Sequence, residues 1–298
     1  MIEQILGDLA PGQFLDQYYT RVPYTRAGAA AGLTSFRGWP SVEAILCQTD
    51  VDGFLAREGV MWEGGRLPPF PGVRALFSQG HTLVIRSAER HDAELARLAD
   101  GFLRDFAAEV NVHVYCTPPG RSGFGWHYDP EDVFILQTHG TKEYQLRKNT
   151  VNPWPLLAQM PKDLHYEREV MPTWSCLLRP GDWLYLPTGW WHSARAVEGD
   201  SITLAIGLMT PSAIEVLDFL KRELLSSLVW RQRLPVLGTA NPASPEDLAK
   251  AHRSILTDLG RDLSRLLSDE ALARRYLELR DRGPGRGSLA PGVDSRQP

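Results

Sequence analysis

In the stretch GWHYDPEDVFILQTHGTKEYQL, residues 125–146, a histidine and a carboxylate, His127 and Asp129, stand two apart just before an apolar run. Residues two apart in an extended chain point to the same side, so one ion can take an imidazole nitrogen and a carboxylate oxygen from this pair. Alone the pattern has little weight. With eight His and 19 Asp in 298 residues, chance supplies roughly half a His-x-Asp match in such a chain. Two further residues add weight. His192 follows a tight turn in LRPGDWLYLPTGWWHSA, and Lys142 lies in the short run after DVFILQ, a position from which it can point inward. Two His and one carboxylate on one face of an ion leave three octahedral positions open, the arrangement of non-haem Fe(II) oxygenases.

Other histidines read differently. His165-Tyr166-Glu167 is a second His-x-acid pair, but its segment MPKDLHYEREVMP is charged and without strand patterning, and it reads as a surface turn. His139, in THGT, reads as a solvated loop residue, and His81, His91 and His252 have no partners in the sequence around them.

A metal site needs elements that hold its ligands together. From 111 to 211 short runs (VNVHVYCT, DVFILQ, KEYQLR, SCLLR, DWLYLP, SITLAIGL) alternate with turns such as PPGRSG, THGT, RPGD and PTGW. That punctuation predicts an antiparallel barrel or jelly roll. Residues 1–110 read as mixed α/β structure flanking it. There ERHDAELARLADGFLRDFAAEV puts Leu95, Leu98, Phe102 and Phe106 on one helical side, and HTLVIRSA is a short strand. Residues 212–280 read as a helical appendage. The stretch 213–231 predicts one helix with Ile214, Leu217, Leu220, Leu224 and Leu228 on a face, and SPED opens a second helical block with a Ser cap and Pro at its first position. Such an appendage either caps the barrel or mediates homodimerisation. The tail 281–298, rich in Gly and Pro, is expected to be disordered.

The whole-chain balance excludes some classes. A net charge of −4 provides no basic field for nucleic acid or anionic membrane, and no clear nucleic-acid patch stands out. Cys47, Cys116 and Cys176 are odd in number and far apart, which fits a reducing compartment rather than a disulfide framework. The N-terminus does not read as a signal peptide, and no apolar run approaches the roughly 18 residues a membrane helix needs. A soluble cytoplasmic protein with no membrane partner is the expectation. Six of nine Trp lie between 126 and 191, which composition favours reading as an aromatic core over an aromatic-walled pocket.

Taken jointly, the motifs resemble the JmjC-type cupin oxygenases, and among them the ribosomal-oxygenase (cupin-4) branch. The resemblance rests on VYCTPPGRSGFGWHYDPEDVFILQTHGTKEYQL and LRPGDWLYLPTGWWHSA, in order over 111–210, and on FLDQYYTRVPYTRAG near the start. It implies a double-stranded β-helix holding Fe(II) through His127, Asp129 and His192, with no catalytic residue beyond these ligands. It also implies that 2-oxoglutarate chelates the iron and that its distal carboxylate pairs with Lys142, one of only five lysines against 27 arginines. Dioxygen is then the third reactant. Tyr115 matches a pocket tyrosine of the family that donates to 2-oxoglutarate or substrate, and a barrel-core aromatic is an equal reading. Where many relatives have Asn, this sequence has His113, which departs from the family's substrate-side pattern; a pocket hydrogen-bonding role is preferred for it. The implied activity is hydroxylation of a side chain in a protein or peptide, whether ribosomal or a natural-product precursor. A small molecule or RNA base as substrate, and a non-catalytic cupin binding module, are the alternatives.

Overall fold

A computed structural model describes residues 1–36, 38–160, 171–236 and 244–281. The His165-Tyr166-Glu167 pair and the tail from 282 onward lie outside the described residues. The chain divides into two compact units, Met1–Thr210 and Pro211–Pro298.

The first unit is built on nine strands: β1 (Tyr24–Arg26), β2 (Gly53–Arg57), β3 (Val60–Met61), β4 (Thr82–Ile85), β5 (Glu109–Thr117), β6 (Asp132–Arg147), β7 (Trp174–Leu178), β8 (Trp183–Leu186) and β9 (Trp191–Met209). Their order is β1-β8-β6-β9-β5-β4-β2-β3, with β7 also on β6, and every pairing is antiparallel. The fold is thus mainly β with α, as the turn punctuation predicts, and residues before 110 extend the barrel's own sheet through β1 to β4.

Two expectations are corrected. DVFILQ and KEYQLR are one strand of 16 residues rather than two, and SITLAIGL reaches back to Trp191 in a strand of 19. The THGT segment is an irregularity within β6, with register shifts between Gln137 and His139, His139 and Thr141, and Thr141 and Lys142. His139 is therefore an exposed strand residue and not a loop residue. Bulges bend a strand without ending it. As a result the first half of β6 pairs with β8 and the far half of β9, and the second half pairs with β7 and with Trp191 to Ala196. Gly140 allows the bend. It sits at φ 66°, and a Cβ there would lie 2.0 Å from the Asp200 carbonyl oxygen.

The main core lies on one side of this sheet, under the helices α1 (Ile2–Leu6), α2 (Pro11–Gln17), α3 (Gly38–Leu46), α4 (Phe70–Ser78) and α5 (Ala93–Phe106). Asp92 caps α5 by accepting from the Glu94 and Leu95 amides, and its buried stripe is Leu95, Leu98, Ala99 and Phe102. Phe14, Phe134, Trp183 and Tyr185 pack ring on ring, with Phe134 5.0 Å from Tyr185 and 5.7 Å from Trp183. Each such side chain contributes about 1.5–3 kcal/mol through burial. Trp183 Nε1 donates to the Ile5 carbonyl at 2.9 Å, tying α1 to β8. Trp154, by contrast, is exposed, so the aromatic-core reading holds for Trp183 but not for every Trp. A smaller apolar cluster, including Val133, Ile135, Leu146, Leu178 and Leu186, lies inside the barrel.

The second unit contains α6 (Val216–Leu224), α7 (Leu228–Arg231), α8 (Pro245–Leu267) and α9 (Glu270–Asp281). The single helix expected over 213–231 is interrupted at 225–227. Ser226 Oγ donates to the Glu223 carbonyl at 2.7 Å, the local competition with helix hydrogen bonding that serine offers. Ser244 caps α8 as its sequence predicts. Phe219, Leu220 and Leu272 form this unit's core. Among the described residues no helix is long and apolar enough to cross a membrane.

Candidate metal centre and its cavity

His127 and Asp129 precede β6, and His192 is the second residue of β9. The two histidines pair through their backbones, His127 N to His192 O at 3.0 Å and His192 N to His127 O at 2.8 Å, which sets their rings 4.1 Å apart. Both rings are oriented in the same way. His127 Nδ1 lies 2.9 Å from the Gly125 carbonyl and His192 Nδ1 lies 3.0 Å from the Trp190 carbonyl. A carbonyl only accepts, so each Nδ1 carries the proton and each Nε2 presents its lone pair. Asp129 Oδ2 lies 3.4 Å from His192 Nε2, and one donor atom from each of the three residues falls within 4.8 Å of the others. Burial, reinforced by His127, holds His192 below the ordinary histidine range. A neutral imidazole is the form that binds metal. Two nitrogens and a carboxylate oxygen on one side suit a divalent iron-type ion.

The segments carrying these ligands are stapled together. The Asp129 carbonyl accepts from Gly189 N at 2.9 Å and Thr188 Oγ1 at 3.4 Å. Asp132, buried at the start of β6, accepts from the Tyr185 hydroxyl and from Thr188 N. Asp132→Ala leaves both donors unpaired and is expected to cost about 1–3 kcal/mol of stability and to weaken metal binding. Asp132→Asn keeps an acceptor oxygen and is expected to recover most of both. Thermal melts and metal titrations of the two variants check this.

The ligands open into a cavity that all the sequence-predicted residues also line: His113, Tyr115 and Lys142 together with His127, Asp129 and His192. On β5, strand alternation puts His113, Tyr115 and Thr117 on the cavity side and Val112, Val114 and Cys116 in the main core. The Thr117 end is closed. Lys142 is 5% exposed there, and its Nζ donates to Thr117 Oγ1 at 3.2 Å. The ammonium also lies 5.7 Å and 5.8 Å from the ring centres of Tyr115 and Tyr144. Among the described residues no carboxylate lies within ion-pair distance of it, and burial pushes Lys142 down to about 8. The β4–β5 register, extended by one residue, sets Thr82 beside Thr117, and the Thr82 hydroxyl is buried without a hydrogen-bond partner. An unpaired buried cation beside an orphaned hydroxyl is a carboxylate-binding arrangement.

Tyr115 stays protonated, because burial and the nearby Asp129 raise its phenol far above the usual value, so its hydroxyl is a donor. His113 Nδ1 accepts the Ser87 amide at 3.1 Å, which places the proton of the neutral ring on Nε2. Burial, helped by Arg86, keeps that ring neutral. In this tautomer the His113 ring has an N–H rather than a lone pair left to offer at Nε2. Sequence reading missed Thr82, Thr117, Tyr144 and Glu131. Alternation from His113 and Tyr115 already pointed to Thr117, whereas Thr82 reaches the cavity only through strand pairing. Glu131 lines the cavity as well, and burial followed by the Asp129 charge pushes it up to about 7.

A family model described as the JmjC domain matches residues 86–216. The chain is 28% identical over 221 residues to the bifunctional lysine-specific demethylase and histidyl-hydroxylase NO66 of Drosophila persimilis, covering 70% of this chain and 31% of that protein. It is 35% identical over 129 residues to ribosomal oxygenase 2 of Mus musculus, covering 43% of this chain and 27% of that protein. The chain thus spans less than a third of the length of these two relatives. Among solved structures, Escherichia coli YcfD matches with a TM-score of 0.62 at 20% identity, covering 91% of this chain and 71% of that one. The ribosomal oxygenase YcfD in complex with cobalt and 2-oxoglutarate matches with a TM-score of 0.61 at 19% identity, covering 91% and 70%. At such identity the likeness establishes the barrel fold.

Proposed function

Since a family model described as the JmjC domain matches residues 86–216, we propose that this protein is an Fe(II)- and 2-oxoglutarate-dependent oxygenase that hydroxylates a side chain of a protein or peptide. One observation carries the reading: a His–Asp–His ligand set and a buried lysine with no carboxylate partner among the described residues open into the same cavity. The names of the relatives, a histidyl-hydroxylase and a ribosomal oxygenase, support a protein substrate.

His127, Asp129 and His192 would hold the iron by one face. Lys142, Thr117 and Thr82 would receive the distal carboxylate of 2-oxoglutarate, with the Tyr115 hydroxyl as a further donor. Iron with 2-oxoglutarate and dioxygen, when bound, supplies the oxidation: one oxygen atom enters a C–H bond of the substrate while 2-oxoglutarate leaves as succinate and CO2. The chain's own contribution is placement. Val133, Ile135, Leu186 and Ala205 give the cavity apolar walls that keep bulk water from the reacting centre. His113 presents its Nε2–H to the substrate and orients it.

The test is anaerobic titration of the protein with Fe(II) and 2-oxoglutarate, expected to develop the weak visible charge-transfer band of the chelate. Absence of the band together with absence of succinate formation in air removes the reading. A pH dependence follows from Lys142. Its ammonium must be charged to bind a carboxylate, and in the free protein it loses its proton near 8. Affinity for 2-oxoglutarate is therefore expected to fall above that pH, approaching about tenfold per unit. Calorimetric titration of the metal-loaded protein across that range checks it, and Lys142→Met should flatten the profile.

A further inference from the structure

The cavity has a second charged end. Along β5 the inward positions run Thr117, Tyr115, His113 and then Asn111, and the last of these bonds to Glu131 through Asn111 Nδ2 to Glu131 Oε2 at 3.2 Å. Glu131 is half-buried and lines the cavity, and among the described residues no lysine, arginine or histidine lies within ion-pair distance of it. Asn111 Oδ1 is buried and has no hydrogen-bond partner. An acceptor with no donor among the described residues thus stands beside a carboxylate whose one hydrogen bond comes from the same asparagine. The opposite strand makes room for the pair. Gly207 of β9 faces Asn111 in register, and a Cβ there would lie 2.3 Å from Glu131 Oε2 and 2.6 Å from Asn111 Oδ1.

Resting on the oxygenase reading above, we propose that Glu131, supported by Asn111 and admitted by Gly207, is a specificity-determining carboxylate that receives a cationic N–H donor group at the tip of the substrate side chain. The two ends of the cavity then have complementary tasks. Lys142 takes the carboxylate of the co-substrate, and Glu131 takes the positive group of the substrate, with the metal ligands lining the same cavity. A half-buried carboxylate without a counter-ion favours a cation over a neutral group of the same shape, because the charge-assisted bond is the stronger one.

The probe pair is methylguanidinium and methylurea, alike in shape and differing in charge. Each is added to the protein loaded with Mn(II) and 2-oxoglutarate under nitrogen, and paramagnetic broadening of its methyl proton signal is read. Methylguanidinium is expected to broaden at a concentration at least about tenfold lower than methylurea. Glu131→Gln, and independently Gly207→Ala, should remove that preference while Mn(II) and 2-oxoglutarate affinities and the melting temperature stay near wild type. Equal broadening by the two probes, or an unchanged preference in Glu131→Gln, overturns the carboxylate subsite alone. Failure of Mn(II) and 2-oxoglutarate to bind at all overturns the oxygenase reading and this inference with it.

Discussion

Asp129→Ala is expected to abolish iron binding, and with it all 2-oxoglutarate turnover, while leaving the fold intact. The Asp129 carboxylate is the only anionic member of the ligand set; without it a dication faces two neutral imidazoles. Loss of a partner that merely orients a ligand already costs about 10–100-fold in metal affinity, so removal of a charged ligand should exceed that range. Stability should barely change. The Asp129 side chain is 34% exposed, and the hydrogen bonds stapling its segment run to its main-chain carbonyl, which alanine retains. A part-exposed substitution that keeps these main-chain bonds is expected to cost no more than about 1 kcal/mol. Metal analysis after Fe(II) loading, paired with a thermal melt, separates the two quantities. His192→Ala would be a poorer test, because His192 is buried and its loss also opens a void.

Lys142→Met is expected to move function and stability in opposite directions. Removing one partner of a buried charge pair costs about 2–5 kcal/mol in binding, which is roughly 30-fold to several thousandfold in 2-oxoglutarate affinity. Iron binding should persist, since no ligand is touched. The protein without 2-oxoglutarate should become more stable. Burial moves Lys142 from 10.5 to about 8, and at about 1.4 kcal/mol per unit that is a native-state cost of about 3 kcal/mol at neutral pH. The sign follows from proton counting. The unfolded chain keeps this proton up to about its ordinary value and the folded chain only to about 8, so the unfolded state binds more protons in between. Wild-type stability should therefore rise with pH through that window as far as this group is concerned, and Lys142→Met should lack that rise. Denaturant midpoints at several pH values, with 2-oxoglutarate titrations at neutral pH, read both effects. A lysine that serves only the fold would give neither the affinity loss nor the stability gain.

Much of this site is local chemistry written along the chain. The His-x-Asp spacing puts two ligands on one side of an extended segment, and alternation along β5 separates His113, Tyr115 and Thr117 from the core side chains Val112, Val114 and Cys116. Asp92 and Ser244 announce helix starts, and the PGD turn ends shortly before His192. These features depend on periods of two or 3.6 residues and on side chains bonding near neighbours, so the sequence alone determines them. It could not show that β6 and β9 each run unbroken past the irregularity at His139 and pair with different strands on either side of it. A bulge at His139 and a turn at THGT carry the same residues, and only pairing with the partner strand distinguishes them. Nor could it show that Thr82 reaches the Lys142 end, or that Gly207 leaves space for Glu131, because both depend on register between strands distant in the chain. Asp129 and His192 themselves are separated by 62 residues. The tertiary structure decided their meeting, through the paired backbones of His127 and His192 and the staple at Thr188 and Gly189. Local sequence sets which way a side chain faces, while long-range strand pairing sets what it faces.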